Sequence, residues 1–141
     1  MAVNIRISGL NEVLDKIENL ADINEYKQRL GKACALVERT AKQKAPKDTG
    51  ALRRSITSEV TGNGIDIIGT VYTPLEYAPY VEYGTGLFAE STGRQDAWSY
   101  KDDKGNWHKT SGQKPQPFMR PALNENREKI TEILKEGLAN D

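Results

Sequence analysis

The chain has 141 residues, 37% of them hydrophobic and 28% charged, with 20 basic and 20 acidic side chains and a net charge of zero. That length suits one ordinary domain whose core needs no disulfide or metal, and the neutral balance argues against a protein that coats DNA generically. No apolar run approaches the roughly 20 residues of a membrane span, Met1 to Ile7 lacks the basic and apolar regions of a secretory signal, and the single Cys34 points to a reducing compartment.

Charge is unevenly distributed. Residues 1–26 are net −3, residues 27–54 net +7, residues 55–90 net −5, residues 91–120 net +3 and residues 121–141 net −2. Such blocks are either solvated faces or opposite patches through which identical subunits meet. A head-to-tail ring requires two different, complementary surfaces on each copy.

Val3, Ile5 and Ile7 alternate with Asn4 and Arg6, a short strand pattern closed by Ser8-Gly9. Leu10, Val13, Leu14, Ile17 and Leu20 follow helical spacing and predict a helix from about Leu10 to Leu20. A longer helix is predicted from about Asn24 to Lys44, with Asp22 or Asn24 as its cap. Its apolar stripe is Tyr26, Leu30, Ala33, Cys34, Val37 and Ala41, and its other face carries Lys27, Arg29, Lys32, Arg39 and Lys42. Pro46 ends it, because the residue before a proline resists the helical region. Leu52, Ile56 and Val60 fall on one face, and Ile65, Ile67, Gly69 and Val71 alternate. With Gly62-Asn63-Gly64 between them, they predict an antiparallel hairpin of residues 52–61 and 64–72.

Pro74 to Gly86 is rich in tyrosine and glycine; a short helix is predicted at 76–82 and a mobile loop at 84–97. Ala97 to Tyr100 and Trp107 to Lys109 flank Asp102-Asp103-Lys104-Gly105-Asn106. This reads as a second hairpin, with Gly105 at the left-handed turn position and Trp98 facing Trp107 across the strands. Lys114-Pro115-Gln116-Pro117 reads as a stiff linker. The last helix is expected to begin near Phe118 or Pro121 and to bury Ala122, Asn126, Ile130, Ile133, Leu134 and Leu138. Helices, then strands, then a closing helix favour an α+β fold: an antiparallel sheet of about four strands packed against N-terminal and C-terminal helices, with a protruding loop or hairpin. The expected organisation is one domain over residues 1–141 with a flexible loop or hairpin insertion near 84–114.

The catalytic inventory is thin. Cys34 lies on an apolar stripe and reads as a buried structural thiol; His108 reads as a plain polar strand residue. One histidine and one cysteine cannot assemble an ordinary structural zinc site. The 102–106 loop lacks the alternating acidic positions and the bidentate glutamate of a calcium loop. Glu76 and Glu82 are an imaginable acid/base pair, yet both read as members of the acidic surface block. Gly62, Gly64, Gly84 and Gly86 match neither a P-loop nor a dinucleotide fingerprint. No catalytic residue, cofactor or metal is therefore expected, and a small hydrolase is the poorest of the readings. Nucleic-acid binding through the basic segment 27–54 is the alternative function, although aromatic side chains are not interleaved with that segment as a stacking surface requires.

The run Ala45-Pro46-Lys47-Asp48-Thr49-Gly50-Ala51-Leu52-Arg53-Arg54-Ser55-Ile56 resembles the characteristic opening of the gene-product-ten-like family of HK-type lambdoid phages. The resemblance continues through Tyr80-Val81-Glu82-Tyr83-Gly84-Thr85-Gly86 and ends with Gln116-Pro117-Phe118-Met119-Arg120-Pro121-Ala122-Leu123. These segments stand in the family's order and span residues 45–123. The two-tryptophan insertion at 87–114 resembles what some members from phages of Gram-positive hosts carry.

The resemblance implies an α+β virion structural protein of head–tail joining or tail completion, with no cofactor and no chemistry. Its expected partners are further copies of itself in a ring (a hexamer, or a dodecamer on the head side), the phage neck or connector and tail-tube proteins, and packaged DNA in the ring lumen, with no membrane. Its expected location is the virion, at the head–tail junction or tail end, after assembly in the host cytoplasm.

The candidate subunit or partner interface is Tyr77, Tyr80, Tyr83, Trp98, Trp107, Arg53, Arg54 and Glu82. The tyrosines are either rigid amphipathic interface surfaces or the packing of a short helix onto the sheet. The candidate structural motif is Pro46, Asp48, Thr49, Gly50, Gly84, Pro117 and Phe118. In it, Asp48-Thr49-Gly50 forms a tight turn that aims the following strand, and Phe118 pins the last helix.

Overall fold

The computed structural model describes residues 1–5, 20–47, 50–62, 67–90, 93–94, 96–101 and 104–136. In chain order its elements are β1 (Ala2–Ile5), α1 (Leu20–Lys44), α2 (Ala51–Ser55), β2 (Thr57–Thr61), β3 (Ile68–Tyr72), α3 (Ala78–Tyr83), β4 (Trp98–Lys101), β5 (Trp107–Thr110), α4 (Met119–Glu125) and α5 (Arg127–Glu136). The fold is α+β. The chain divides into two compact units, one of Ala2–Thr73 and Phe118–Asp141, the other of Pro74–Pro117 with Met1.

In the first unit α1 has 25 residues, about 37 Å at the helical rise. It starts at Leu20 rather than Asn24 and ends at Lys44, ahead of Pro46. The expected helix from Leu10 lies outside the described residues apart from Leu20, as do residues 6 and 7 of the expected first strand. The whole predicted stripe, Tyr26, Leu30, Ala33, Cys34, Val37 and Ala41, is buried. Against it pack β2, β3, α2, α4 and α5. The approach to β3 is close: a Cβ on Gly69 would collide with Cys34 Sγ and stand 3.1 Å from Leu30 Cγ. On that strand Ile67, Gly69, Val71 and Thr73 are buried while the residues between them are half-exposed, as the alternation predicts.

The sheet has three strands in the order β1-β3-β2, both pairings antiparallel. Among the described residues the sheet thus has fewer strands than the expected four or so. Residues 51–55, expected to open a strand, form α2. Leu52 and Ile56 are four apart, a spacing that suits a helix face and a strand face equally. Ala, Leu and Arg settle it towards helix, and β2 begins only at β-branched Thr57. A hydroxyl pair closes the step from α2 into the sheet: Ser55 Oγ lies 2.6 Å from Thr73 Oγ1 and donates to Leu52 O at 2.6 Å. Gly62, at the head of the expected turn, has φ 99°; residues 63–66 lie outside the described residues.

The single expected last helix is two. Asn126 interrupts it with φ −102° and ψ 6° and is itself buried. Its side-chain Nδ2 donates to Ala122 O at 2.7 Å and to Thr40 Oγ1 of α1 at 2.9 Å, while Thr40 Oγ1 donates to Leu36 O at 3.1 Å. An amide that bonds local backbone competes with helix continuation, and here it also ties the break to α1. Phe118 and Met119 are fully buried at the start of α4, and Pro121 sits in its tolerant first turn. Ala122 and Ile130 are buried as predicted, and Ile133 and Leu134 are half-buried. Leu138 lies outside the described residues.

Asn126→Leu removes a buried amide that bonds both Ala122 and α1, so it is expected to lower the unfolding free energy by roughly 1–3 kcal/mol in a urea titration. Thr131→Val removes only an exposed hydroxyl bond to Arg127 O and is expected to stay within about 0.5 kcal/mol. Equal effects would show that the cross-link is idle.

Burial, with a smaller push from Glu38, raises the Cys34 thiol pKa from 9.0 to about 11, and burial also raises the Tyr26 hydroxyl. Both groups become anionic on losing a proton, and the folded state holds that proton more tightly than the unfolded state. Their contribution is therefore complete below the unfolded pKa, near 9.0 for Cys34, and is lost as pH rises towards about 11. Cys34→Ala leaves a small cavity at every pH, yet its stability is expected to fall less steeply across that alkaline range. Parallel slopes for the two proteins would refute the assignment.

Candidate interaction surface

The second unit is built on a six-residue helix. In α3, Pro79 occupies the tolerant first turn, and Gly84 caps the C-terminus with φ 80°, its N–H bonding Tyr80 O at 2.9 Å. Tyr77, Tyr80 and Tyr83 recur every three residues and share one face. All three are exposed, Tyr80 by 62%. Ala78 and Glu82, four apart, point the other way and are fully buried. This corrects the expectation for Glu82, which was read as part of an acidic surface. Helical spacing from Ala78 places it on the inward face instead. Glu76 is exposed, in keeping with the sequence reading.

After α3 the chain runs against residues 111–116. Thr85 N–H donates to Gln113 O and Gln113 N–H to Thr85 Oγ1, both at 2.9 Å. Leu87 N–H donates to Ser111 O at 2.9 Å, and Gln116 N–H donates to Val81 O at 2.8 Å. The crossing admits no side chain: a Cβ on Gly86 would strike Ser111 O, and one on Gly112 would strike Thr85 O. Both residues also have positive φ, 60° and 122°. Where an open loop is expected over 84–97, Gly86–Phe88 form a single 3-10 turn, and Glu90 N–H bonds Tyr83 O at 2.9 Å. That turn presents Leu87 and Phe88 outward, with Lys114 Nζ 6.0 Å from the Phe88 ring centre.

The second hairpin forms as expected, with Gly105 at φ 85° in its turn. Its register differs from the reading in which Trp98 and Trp107 face each other. Trp98 is opposite Thr110, Trp107 is opposite Lys101, and Tyr100 pairs with His108. The last two rings stack with centres 5.3 Å apart. A turn between Lys101 and Trp107 puts the tryptophans on opposite faces, because Trp98 and Lys101 differ by an odd number of positions.

Pro79, Tyr80, Tyr83, Ala89, Arg94 and Trp98, with Gly84, Thr85, Gly86 and Gly93, line an open cleft of about 540 Å³. The Arg94 guanidinium lies 5.4 Å from the Trp98 ring centre, within cation–π range. Among the described residues, every exposed large apolar side chain belongs to this unit: Tyr77, Tyr80, Tyr83, Leu87, Phe88, Tyr100 and Trp107. That concentration makes this unit the candidate interaction surface. Leu87, Phe88, Arg94 and Tyr100 are absent from the sequence-derived candidates; the adjacent apolar pair Leu87-Phe88 inside a glycine-rich stretch was the available signal.

The other candidates lie in the first unit. Gly50 precedes α2 with φ 73° and accepts from Arg54 N–H at 3.0 Å. Asp48 and Thr49 lie outside the described residues. Arg53 Nη2 donates to Ala45 O at 3.4 Å, Arg54 is exposed, Pro46 is half-buried and Phe118 is buried. Pro117, which ends the second unit, is exposed. Within the basic segment 27–54, several cations already meet carboxylates: Arg29 with Glu25 at 3.0 Å and Glu136 at 3.3 Å, Lys42 with Glu38 at 3.6 Å, and Lys44 with Glu125 at 2.7 Å. Among the described residues no group of three or more His, Cys, Asp or Glu is placed to hold a metal, and no helix is long and apolar enough to cross a membrane.

Gly86→Ala is expected to unzip the crossing. Amide exchange at Thr85 and Leu87 would then accelerate at least tenfold, about 1.4 kcal/mol of lost protection, with α1 amides unchanged. Unaltered protection at both amides would show that the crossing tolerates a side chain.

No curated protein and no solved structure gives a significant match. A family model described as "Bacteriophage HK97-gp10, putative tail-component" matches residues 10–84, just over half of the chain. The match takes in α1, α2, the β2–β3 pair and α3 up to its Gly84 cap, and it ends before the crossing and the β4–β5 hairpin. The chain thus belongs to the HK97-gp10-like family of bacteriophage tail components.

Proposed function

We propose that this tail component is a non-enzymatic structural subunit that completes the tail or joins it to the head, working as one copy in a ring. The observation that carries the proposal is the outward tyrosine face of α3, continued by Leu87 and Phe88, on a unit that lies largely outside the family match. Rigid aromatic side chains of this kind form the centres of protein interfaces. The alternating charge blocks supply the two unlike surfaces that a head-to-tail ring requires. A hexamer suits a position at the top of the tail, with tail-tube and neck proteins as its neighbours and DNA passing through the lumen. A dodecamer suits the head side. On this reading the protein assembles in the host cytoplasm and ends in the virion, at the head–tail junction or tail end. The competing reading, nucleic-acid binding by segment 27–54, is weakened by the carboxylate partners of Arg29, Lys42 and Lys44.

Light scattering at low and high salt, together with retention on purified tails that lack this chain, tests the proposal. A ring mass that falls at high salt, or stable retention on tails, is expected of the wild-type chain. Tyr80→Ala is expected to weaken either association by roughly 2 kcal/mol, about 30-fold, with the circular dichroism unchanged. A chain that neither forms a ring nor stays on tails would sink the proposal.

A further inference from the structure

The register of the β4–β5 hairpin sorts its side chains into two unlike faces. Directly opposed residues of an antiparallel pair share a face, and successive residues alternate. Trp98, Tyr100, His108 and Thr110 therefore lie on one side, and Ser99, Lys101, Trp107 and Lys109 on the other. On the first face the Tyr100 and His108 rings stack on each other, and Trp98 lines the cleft. On the second face all four residues are exposed, and Trp107, at 70%, is the most exposed large apolar residue among those described. Lys101 stands directly across from it, and Lys109 is two positions along its own strand. Neither strand carries an acidic residue; Asp102 and Asp103 lie outside the described residues.

We infer that this face of the hairpin binds nucleic acid, with Lys101 and Lys109 on phosphates and Trp107 against a base or sugar. Lysine is depleted from the dry centre of protein interfaces, so a tryptophan bracketed by two lysines is poorly suited to burial against another protein. The same trio suits a polyanion that also offers flat apolar surfaces. A two-stranded ribbon is also narrow enough to enter the major groove of a duplex. The inference moves nucleic-acid contact away from segment 27–54, where aromatics are lacking and several cations are paired, to a site where aromatic and basic side chains interleave. It rests on the ring reading only in taking the polyanion to be the DNA that passes through the lumen.

The test is fluorescence titration of the full chain carrying Trp98→Phe, which leaves Trp107 as the reporter, with a short mixed-sequence duplex and the matching single strand. Quenching that weakens with salt is expected with at least one of the two probes. Lys101→Glu with Lys109→Glu is expected to weaken binding at least tenfold at low salt and to flatten the log–log salt slope by about two. Trp107→Leu is expected to weaken binding while leaving that slope in place. Lys32→Glu with Arg39→Glu, reversing exposed charges on α1, is expected to stay within about twofold.

Absence of quenching with both probes overturns the inference, as does an equal loss from the α1 pair. Hairpin variants that lose ring mass or tail retention without altering DNA binding would assign the face to a protein partner and overturn it too. Light scattering on the same samples separates the two proposals. A ring that ignores DNA defeats this inference alone, and DNA binding by a chain that never assembles defeats the ring reading alone.

Discussion

The buried stripe of α1 is the constraint on which the first unit depends. Tyr26, Leu30, Ala33, Cys34, Val37 and Ala41 present a continuous apolar surface, and two strands and three helices pack against it. The small residues bring β3 so near that only glycine fits at position 69 beneath Cys34 and Leu30. Burying such a surface is the main favourable term in folding a domain of this size, and one long helix supplies it because its i, i+3 and i+4 positions stay in line over seven turns. The ion pairs on the opposite side of α1 are partly exposed and contribute little stability by comparison. They instead reduce the net field of the most basic segment.

The second unit is held differently. Among the described residues it has one six-residue helix, one 3-10 turn and one two-stranded hairpin, too little regular structure to bury a large apolar face. Backbone pairing takes over that role, through the bonds that join residues 85–87 to 111–113 at a crossing where glycines admit close approach. With its backbone fixed this way, the unit leaves most of its large apolar side chains outside. Tyr77, Tyr80, Tyr83, Leu87, Phe88 and Trp107 are thereby exposed, whereas the large apolar side chains described in the first unit are buried or half-buried.

The family match over residues 10–84 takes in α1, α2 and the β2–β3 pair of the first unit and α3 of the second, and leaves out β1, α4, α5 and the β4–β5 hairpin. Within the second unit, chemistry separates the faces: tyrosine and an arginine-edged cleft on the helix side, lysine and tryptophan on one face of the hairpin.

Much of this was legible in the amino-acid sequence because it depends on local periodicity. The α1 stripe, the alternation from Ile67 to Val71, the end of α1 before Pro46, the left-handed Gly105 and the family itself all follow from residue type and spacing. Where two periodicities coincide, spacing alone was silent. Leu52 and Ile56 fit helix and strand alike; the helix propensity of Ala51, Leu52 and Arg53 favours the helix that residues 51–55 form, and α2 packs against α1 while Ser55 meets Thr73. Glu82 was misjudged because charge is a weaker guide to exposure than helical position once Ala78 is committed inward. Register decided the tryptophans, and register is set by which backbone groups pair in a turn. The Asn126 break and the Gly86–Gly112 crossing join residues far apart in the chain, Asn126 to Thr40 and Thr85 to Gln113. The sequence by itself determined the apolar stripe of α1, the alternation along β3 and the family; the tertiary structure decided where the remaining elements break and which outward residues lie together, because both depend on contacts between distant segments that no local pattern encodes.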